Sequence, residues 1–134
     1  MADTVTSQTI QDGDKIAIMK FTNASDGTGE SAVKKVDVSA LKANSLGQSC
    51  TSVTISRIYW ACVGMRVNIE FDASTNVLAM PLPADSTGDE YYDLFTGIPN
   101  NAGSGKTGDI DFTTVGHSSG DAYSIILVLT KIYE

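Results

Sequence analysis

The chain has 134 residues, the length of one domain and enough to bury a core without covalent staples. Its formal net charge of -7, from 16 Asp and Glu against 9 Lys and Arg, argues against nonspecific nucleic-acid binding, which runs on clustered cations. The longest apolar run, Ile125 to Leu129, is too short to cross a bilayer, and Met1-Ala2-Asp3-Thr4 lacks the basic and apolar regions of a secretory signal, so neither membrane nor nucleic acid is expected as a partner.

In chain order, Thr4 to Gln11 is polar apart from Val5 and Ile10, and reads as an N-terminal arm (residues 1–11) or an edge strand. After the turn signal Asp12-Gly13-Asp14, Lys15 to Asn23 is apolar on both parities and predicts a strand covered on both faces. Ala24 to Gly29 has the glycines of a hairpin loop. Ser31 to Leu41 then predicts a strand with Val36, Val38 and Ala40 on one face, and Lys42 to Ser49 a linker with room for one helical turn.

The centre of the chain, CTSVTISRIYWACVGMRVNIEFDAS from Cys50 to Ser74, carries the plainest pattern. In its first run Val53, Ile55, Arg57, Tyr59 and Ala61 oppose Thr54, Ser56, Ile58, Trp60 and Cys62. Beyond a bend or hairpin at Gly64, Met65, Val67, Ile69 and Phe71 alternate with Arg66, Asn68, Glu70 and Asp72. Period two with polar partners is the mark of a half-buried antiparallel strand, so the four apolar residues are expected to form one buried row. Asn76 to Leu82 predicts a short strand placed at an edge by Pro81, which has no N–H for a ladder. Pro83 to Glu90 reads as a polar loop and Thr96 to Gly108 as the longest irregular stretch. Asp109 to Val115 predicts a strand with Ile110 and Phe112 inward, and Asp121 to Glu134 a final strand, central in its sheet. About eight strands at this spacing predict an all-β, single-domain antiparallel β-sandwich of jelly-roll-like type spanning residues 1–134.

Several motifs resemble chemistry. Gly116-His117-Ser118-Ser119-Gly120 matches G-x-S-x-G, but a strand follows it instead of a helix and the sole histidine adjoins the serine, leaving no independent base. Gly103 to Thr107 ends like a P-loop, yet Asn100 stands where the pattern needs glycine, so a flexible glycine loop is expected. Asp109 and Asp111 with Asp121 lack the dense spacing of a calcium loop and are expected to be solvated carboxylates. Asp85, Asp89 and Glu90 hint at a glycosidase pair without the apolar pocket and cleft that chemistry needs. The aromatics Tyr91, Tyr92 and Phe95 suit a stacking platform, or better, core or interface packing. Cys50 and Cys62 read as small half-buried residues more readily than as a disulfide, and with one histidine they are too few for zinc. No catalytic, cofactor or metal residue is therefore expected.

Three segments carry a family resemblance: TVTSQTIQDGDKIAIMKFTNASDGTGESAVKKVDVSAL, the central CTSVTISRIYWACVGMRVNIEFDAS, and GIPNNAGSGKTGDIDFTTVGHSSGDAYSIILVLTKIY. Together they resemble small virion structural proteins of tailed bacteriophages, particularly marine and cyanobacterial phages. The resemblance covers nearly the whole chain and brings no residue-level functional motif. It implies a non-enzymatic decoration (cement) protein, made in the host cytoplasm and seated on the virion's capsid surface. The major capsid protein would be its partner, and a homo-oligomer, a trimer in preference to a dimer, its working form. The alternative is a receptor- or glycan-binding module of a head or tail fibre, using Tyr91 to Lys106 as its ligand surface.

Overall fold

A computed structural model describes residues 3–91 and 97–133, with only the backbone path of Glu90 and Tyr91. It contains nine strands among these residues: β1 (Thr4–Asp12), β2 (Ile16–Asp26), β3 (Val33–Val36), β4 (Ser52–Val63), β5 (Arg66–Phe71), β6 (Val77–Leu82), β7 (Ser86–Tyr91), β8 (Ile110–Val115) and β9 (Ser119–Ile132). They form a five-stranded sheet in the order β1-β2-β9-β4-β7 and a four-stranded sheet in the order β3-β8-β5-β6. Among the described residues every strand pair is antiparallel. The all-β sandwich read from the sequence is the observed architecture. Only β1–β2 and β5–β6 are consecutive neighbours in one sheet; the other connections cross between sheets, as in a jelly roll.

The core lies between the sheets. Met65, Val67, Ile69 and Phe71 are fully buried in one row, while Arg66 is exposed and Asn68 and Glu70 half-buried. Facing them from the larger sheet are Ala17, Phe21, Ile125, Leu127 and Leu129. Phe112 sits edge-on to Phe21 (centroids 5.3 Å apart, 74° between planes) and to Tyr123 (5.8 Å, 66°), the geometry that aromatic quadrupoles favour.

The structure corrects several local expectations. Residues Ala24 to Gly29 do not close a hairpin, because β2 and β3 belong to different sheets. The strand expected from Ser31 to Leu41 is cut to four residues, and a 3-10 turn follows at Val38–Ala40, which leaves Ala40 exposed. Asp37 favours that turn by accepting the Ser39 N–H (3.0 Å), so the one helical turn falls before Lys42 to Ser49. That linker is instead a turn around Asn44, whose side-chain oxygen accepts the N–H groups of Leu46 and Gln48. Pro83 to Glu90 is not wholly a loop: its second half is β7, paired with β4 from Arg57↔Tyr91 to Cys62↔Ser86.

In β4 the alternation itself changes phase. The register to β9 shifts between Ile55 and Arg57, so Val53 and Ile55 are buried before the bulge and Ile58 and Cys62 after it. Gly64, at φ +81, bends the chain from β4 in one sheet to β5 in the other. The residues of β2 and β9 opposite the core, including Ile16, Ile18, Ile126 and Val128, are half-buried on an uncovered outer face rather than enclosed on both sides.

Candidate functional site

Four places gather polar or aromatic side chains. The first, unforeseen in the sequence, is a buried polar clasp between the sheets. Glu30, in the crossover from β2 to β3, accepts hydrogen bonds at Oε1 from Asn23 of β2 (3.0 Å) and the Tyr123 hydroxyl of β9 (2.6 Å). Its Oε2 pairs with Lys35 Nζ of β3 at 2.5 Å, with both side chains about 95% buried. Its backbone exchanges hydrogen bonds with Thr114 of β8. Burial first, then the bond to Glu30, push the Tyr123 phenol well above its ordinary range.

Asp3 extends this group outward. Burial opposes its charge, but hydrogen bonds from Asn23, the Gly29 and Asp26 N–H groups and Ser25 hold the carboxyl down at about 2. Asn23 Oδ1 is left without a partner, and Glu30 itself is only 8% exposed and tied to three strands, so the clasp joins strands. The only sequence signal was positional: Asn23 and Tyr123 stand at inward parity in otherwise apolar strands, where a polar atom needs a buried partner.

At the other end of the sandwich, Lys131 of β9 is likewise engulfed. Its ammonium binds Asp12 and the carbonyls of Gly13 (2.6 Å) and Lys42 (3.1 Å), using all three donors.

The second place is a carboxylate group beneath the glycine-rich loop. Asp109 and Asp111 are only 4% and 3% exposed, which overturns the expectation of solvated side chains. Asp109 is bound by the Val38 N–H (2.9 Å) and Lys34 (3.0 Å). Asp111 Oδ2 accepts from Asn76 (3.0 Å) and its Oδ1 has no partner, while burial, and then the neighbouring Asp72 carboxyl, raise its carboxyl to about 6. Asp121 lies apart, holding the Ser118 N–H (2.9 Å) and hydroxyl (3.2 Å). Among the described residues no group of three or more His, Cys, Asp or Glu side chains is placed to hold a metal ion.

The loop above is not free: Ser74 N donates to Ser104 O (3.0 Å), Thr107 N to Asp72 O (3.3 Å), and the Thr107 hydroxyl to Asp72 Oδ2 (2.7 Å). These bonds pin the segment that sequence alone presents as a flexible glycine loop.

The raised Asp111 value carries a signed expectation. A folded-state value above the ordinary carboxylate range means that this group favours the fold at low pH and loses that contribution as pH rises through about 6. Asp111→Asn mimics the neutral form of the side chain and can still accept from Asn76. It is expected to match the native chain at about pH 3, below the ordinary carboxylate range, and to exceed its unfolding free energy at pH 8 by about 1–3 kcal/mol. Urea midpoints at the two pH values measure this; a variant weaker than the native chain at pH 8 would contradict the assignment.

The third place is the hydrolase-like loop. His117 Nδ1 meets Thr114 Oγ1 (3.2 Å), and its ring lies over Gly29 so closely that a Cβ there would come within 2.3 Å. Ser118 turns to Asp121, so serine and histidine serve different partners.

The fourth place is a shallow concavity of about 430 Å³ on the outer face of the larger sheet, lined by Tyr59, Trp60, Ala61, Gly88, Asp89 and Ile126 among others. Gly88 admits the Trp60 ring, which a Cβ would meet at 2.4 Å, and the indole N–H donates to Ser86 Oγ (3.0 Å). Arg57 stacks over Tyr59 (4.5 Å to the ring centroid) and grips Asp89 through two hydrogen bonds of 2.9 and 2.8 Å. That grip holds the Asp89 carboxyl below its usual range, the reverse of what a glycosidase acid requires.

Asp85, at positive φ, accepts the Gly64 N–H (2.8 Å) and so closes a bend. Tyr92 and Phe95 lie outside the described residues, as do the side chains of Tyr91 and Glu90. Cys50 and Cys62 are free and buried at opposite ends of the β4 segment, too far along one strand to bridge. Burial raises both thiols, Cys62 to about 11.

No family model matches the chain, and no curated protein matches it. Among solved structures it is similar to a cupin superfamily protein from Desulfitobacterium hafniense DCB-2, at 14% identity and a TM-score of 0.37, over 98% of this chain and 81% of that one. A likeness this loose assigns neither family nor chemistry.

Proposed function

We propose that the chain is a structural protein of a tailed-phage virion, a decoration protein that binds the outside of the head and stabilises the shell by bridging subunits of the major capsid protein. The resemblance of its three segments to small virion proteins suggests the class. The observation that carries the reading is the uncovered outer face of the five-stranded sheet. There Ile18, Ile126, Val128 and Ala61 are half-buried beside Tyr59 and Val63, which are 36% and 59% exposed. An outer face whose apolar side chains are interspersed with Lys20, Arg57 and Ser124 suits docking to another protein, where mixed apolar and polar contacts are usual. A homo-oligomer would engage several capsid subunits at once, and linked contacts turn modest interfaces into firm attachment.

Purified protein mixed with empty expanded capsids is expected to bind stoichiometrically to their outer surface. Ile126→Lys, on the outer face, is expected to stay folded and to lose that binding. Capsid binding unaffected by Ile126→Lys would remove this face from the account. The concavity beside Tyr59 and Trp60 favours the fibre-module reading as the runner-up. Saturable glycan binding without capsid binding would establish that alternative.

A further inference from the structure

A sandwich of two open sheets has four edges, and each edge offers unpaired N–H and C=O groups to any passing strand unless something prevents it. Three edges here are guarded. The edge strand β3 is only four residues long and contains Lys34 and Lys35. Strand β6 carries Pro81 and a register shift opposite Ile69 and Glu70. Strand β7 carries Asp89 and Glu90.

The fourth edge, β1, has only one of these devices, a register shift near its C-terminal end. It is nine residues long, and from Thr4 to Gln11 it holds no charge, no proline and no glycine. Its residues from Thr4 to Gln11 are all exposed. The register to β2 is regular from Thr4↔Ala24 to Thr9↔Met19, and the single shift falls only beyond Thr9. The strand is also firmly seated: Thr6 hydrogen-bonds Thr22 across the pair, and Asp3 is anchored by four donors at its start. A long, regular, uncharged edge held rigidly in place is what strand addition requires.

We propose that β1 is a self-association edge, pairing antiparallel with β1 of a second copy about a two-fold axis to make one continuous ten-stranded sheet. Charge selects the partner's contact. Each copy carries a net charge of -7, so two copies approach most easily through a segment that has no charge. The guarded edges leave β1 no other described edge of a second copy to join, so the contact is isologous and closes at two. The trimer expected from the sequence would need a head-to-tail contact, which β1 does not find. This inference stands apart from capsid binding, because it concerns the free protein.

Sedimentation of the full chain tests it. A species of twice the 14.1 kDa chain mass is expected, with amides of Thr4 to Thr9 protected from exchange on both sides of the strand. Ser7→Lys, exposed and mid-strand, places like charges together at the seam and is expected to give a folded monomer in which part of that protection is lost. A monomeric native chain at about 0.5 mM, a concentration that would populate even weak pairing, would overturn the proposal. So would a trimer, or a dimer that survives Ser7→Lys.

Discussion

Replacing Glu30 with alanine is expected to destabilise the chain by about 3–5 kcal/mol, the cost of breaking a buried ion pair and leaving one partner uncompensated. The residue is 8% exposed and touches both sheets: Asn23 and Tyr123 on one side, Lys35 and Thr114 on the other. Without it the Lys35 ammonium stays in a site that excludes water, and the Tyr123 hydroxyl loses its acceptor. Glu30→Gln keeps the hydrogen bonds to Asn23 or Tyr123 but not the charge, so it separates the two contributions. A double replacement, Glu30→Leu with Lys35→Met, is expected to recover part of the loss because no charge remains buried. Urea unfolding measures all three. A loss below about 1 kcal/mol for Glu30→Ala, within the range of an ordinary hydrogen bond, would show that the clasp is superficial.

Ile69→Ala is the second large effect, about 2–5 kcal/mol, since a fully buried truncation loses both transfer free energy and packing. Ile69 stands in the middle of the β5 row, opposite Phe112 of β8 in register. Arg66→Ala on the exposed face of the same strand is expected to change stability by less than about 0.5 kcal/mol. Equal effects at the two positions would mean that the faces of β5 are wrongly assigned.

The β5 row was legible because its alternation is strict and its polar residues mark the outside. Strand β8 was legible for a similar reason, and β6 was read as a short strand that Pro81 places at an edge, as observed. Strand β7 was not, since Ser86-Thr87-Gly88-Asp89 has turn composition and is held as a strand by its ladder to β4. The phase change in β4 was also hidden, because a bulge inserts a residue without altering local propensity.

Long-range pairing explains the remaining differences. Asp109 and Asp111 look like surface acids until the turn at Asp72 to Asn76 and the loop around Ser104 cover them. The Glu30 clasp joins residues 7 to 93 positions apart, a separation that no local pattern encodes. In contrast, the neutrality of Thr4 to Gln11 is plain in the sequence. Its meaning appears only once β1 is placed at an edge and the other edges are found guarded.

The central claim, attachment to the outside of a phage head, is tested most directly by locating the chain in a reconstructed virion. The account predicts density for this sandwich at symmetry-related positions on the outer shell, each copy touching capsid subunits through the outer face of the five-stranded sheet. Density confined to a tail or fibre, or a shell that contains no copy of the chain, would contradict it.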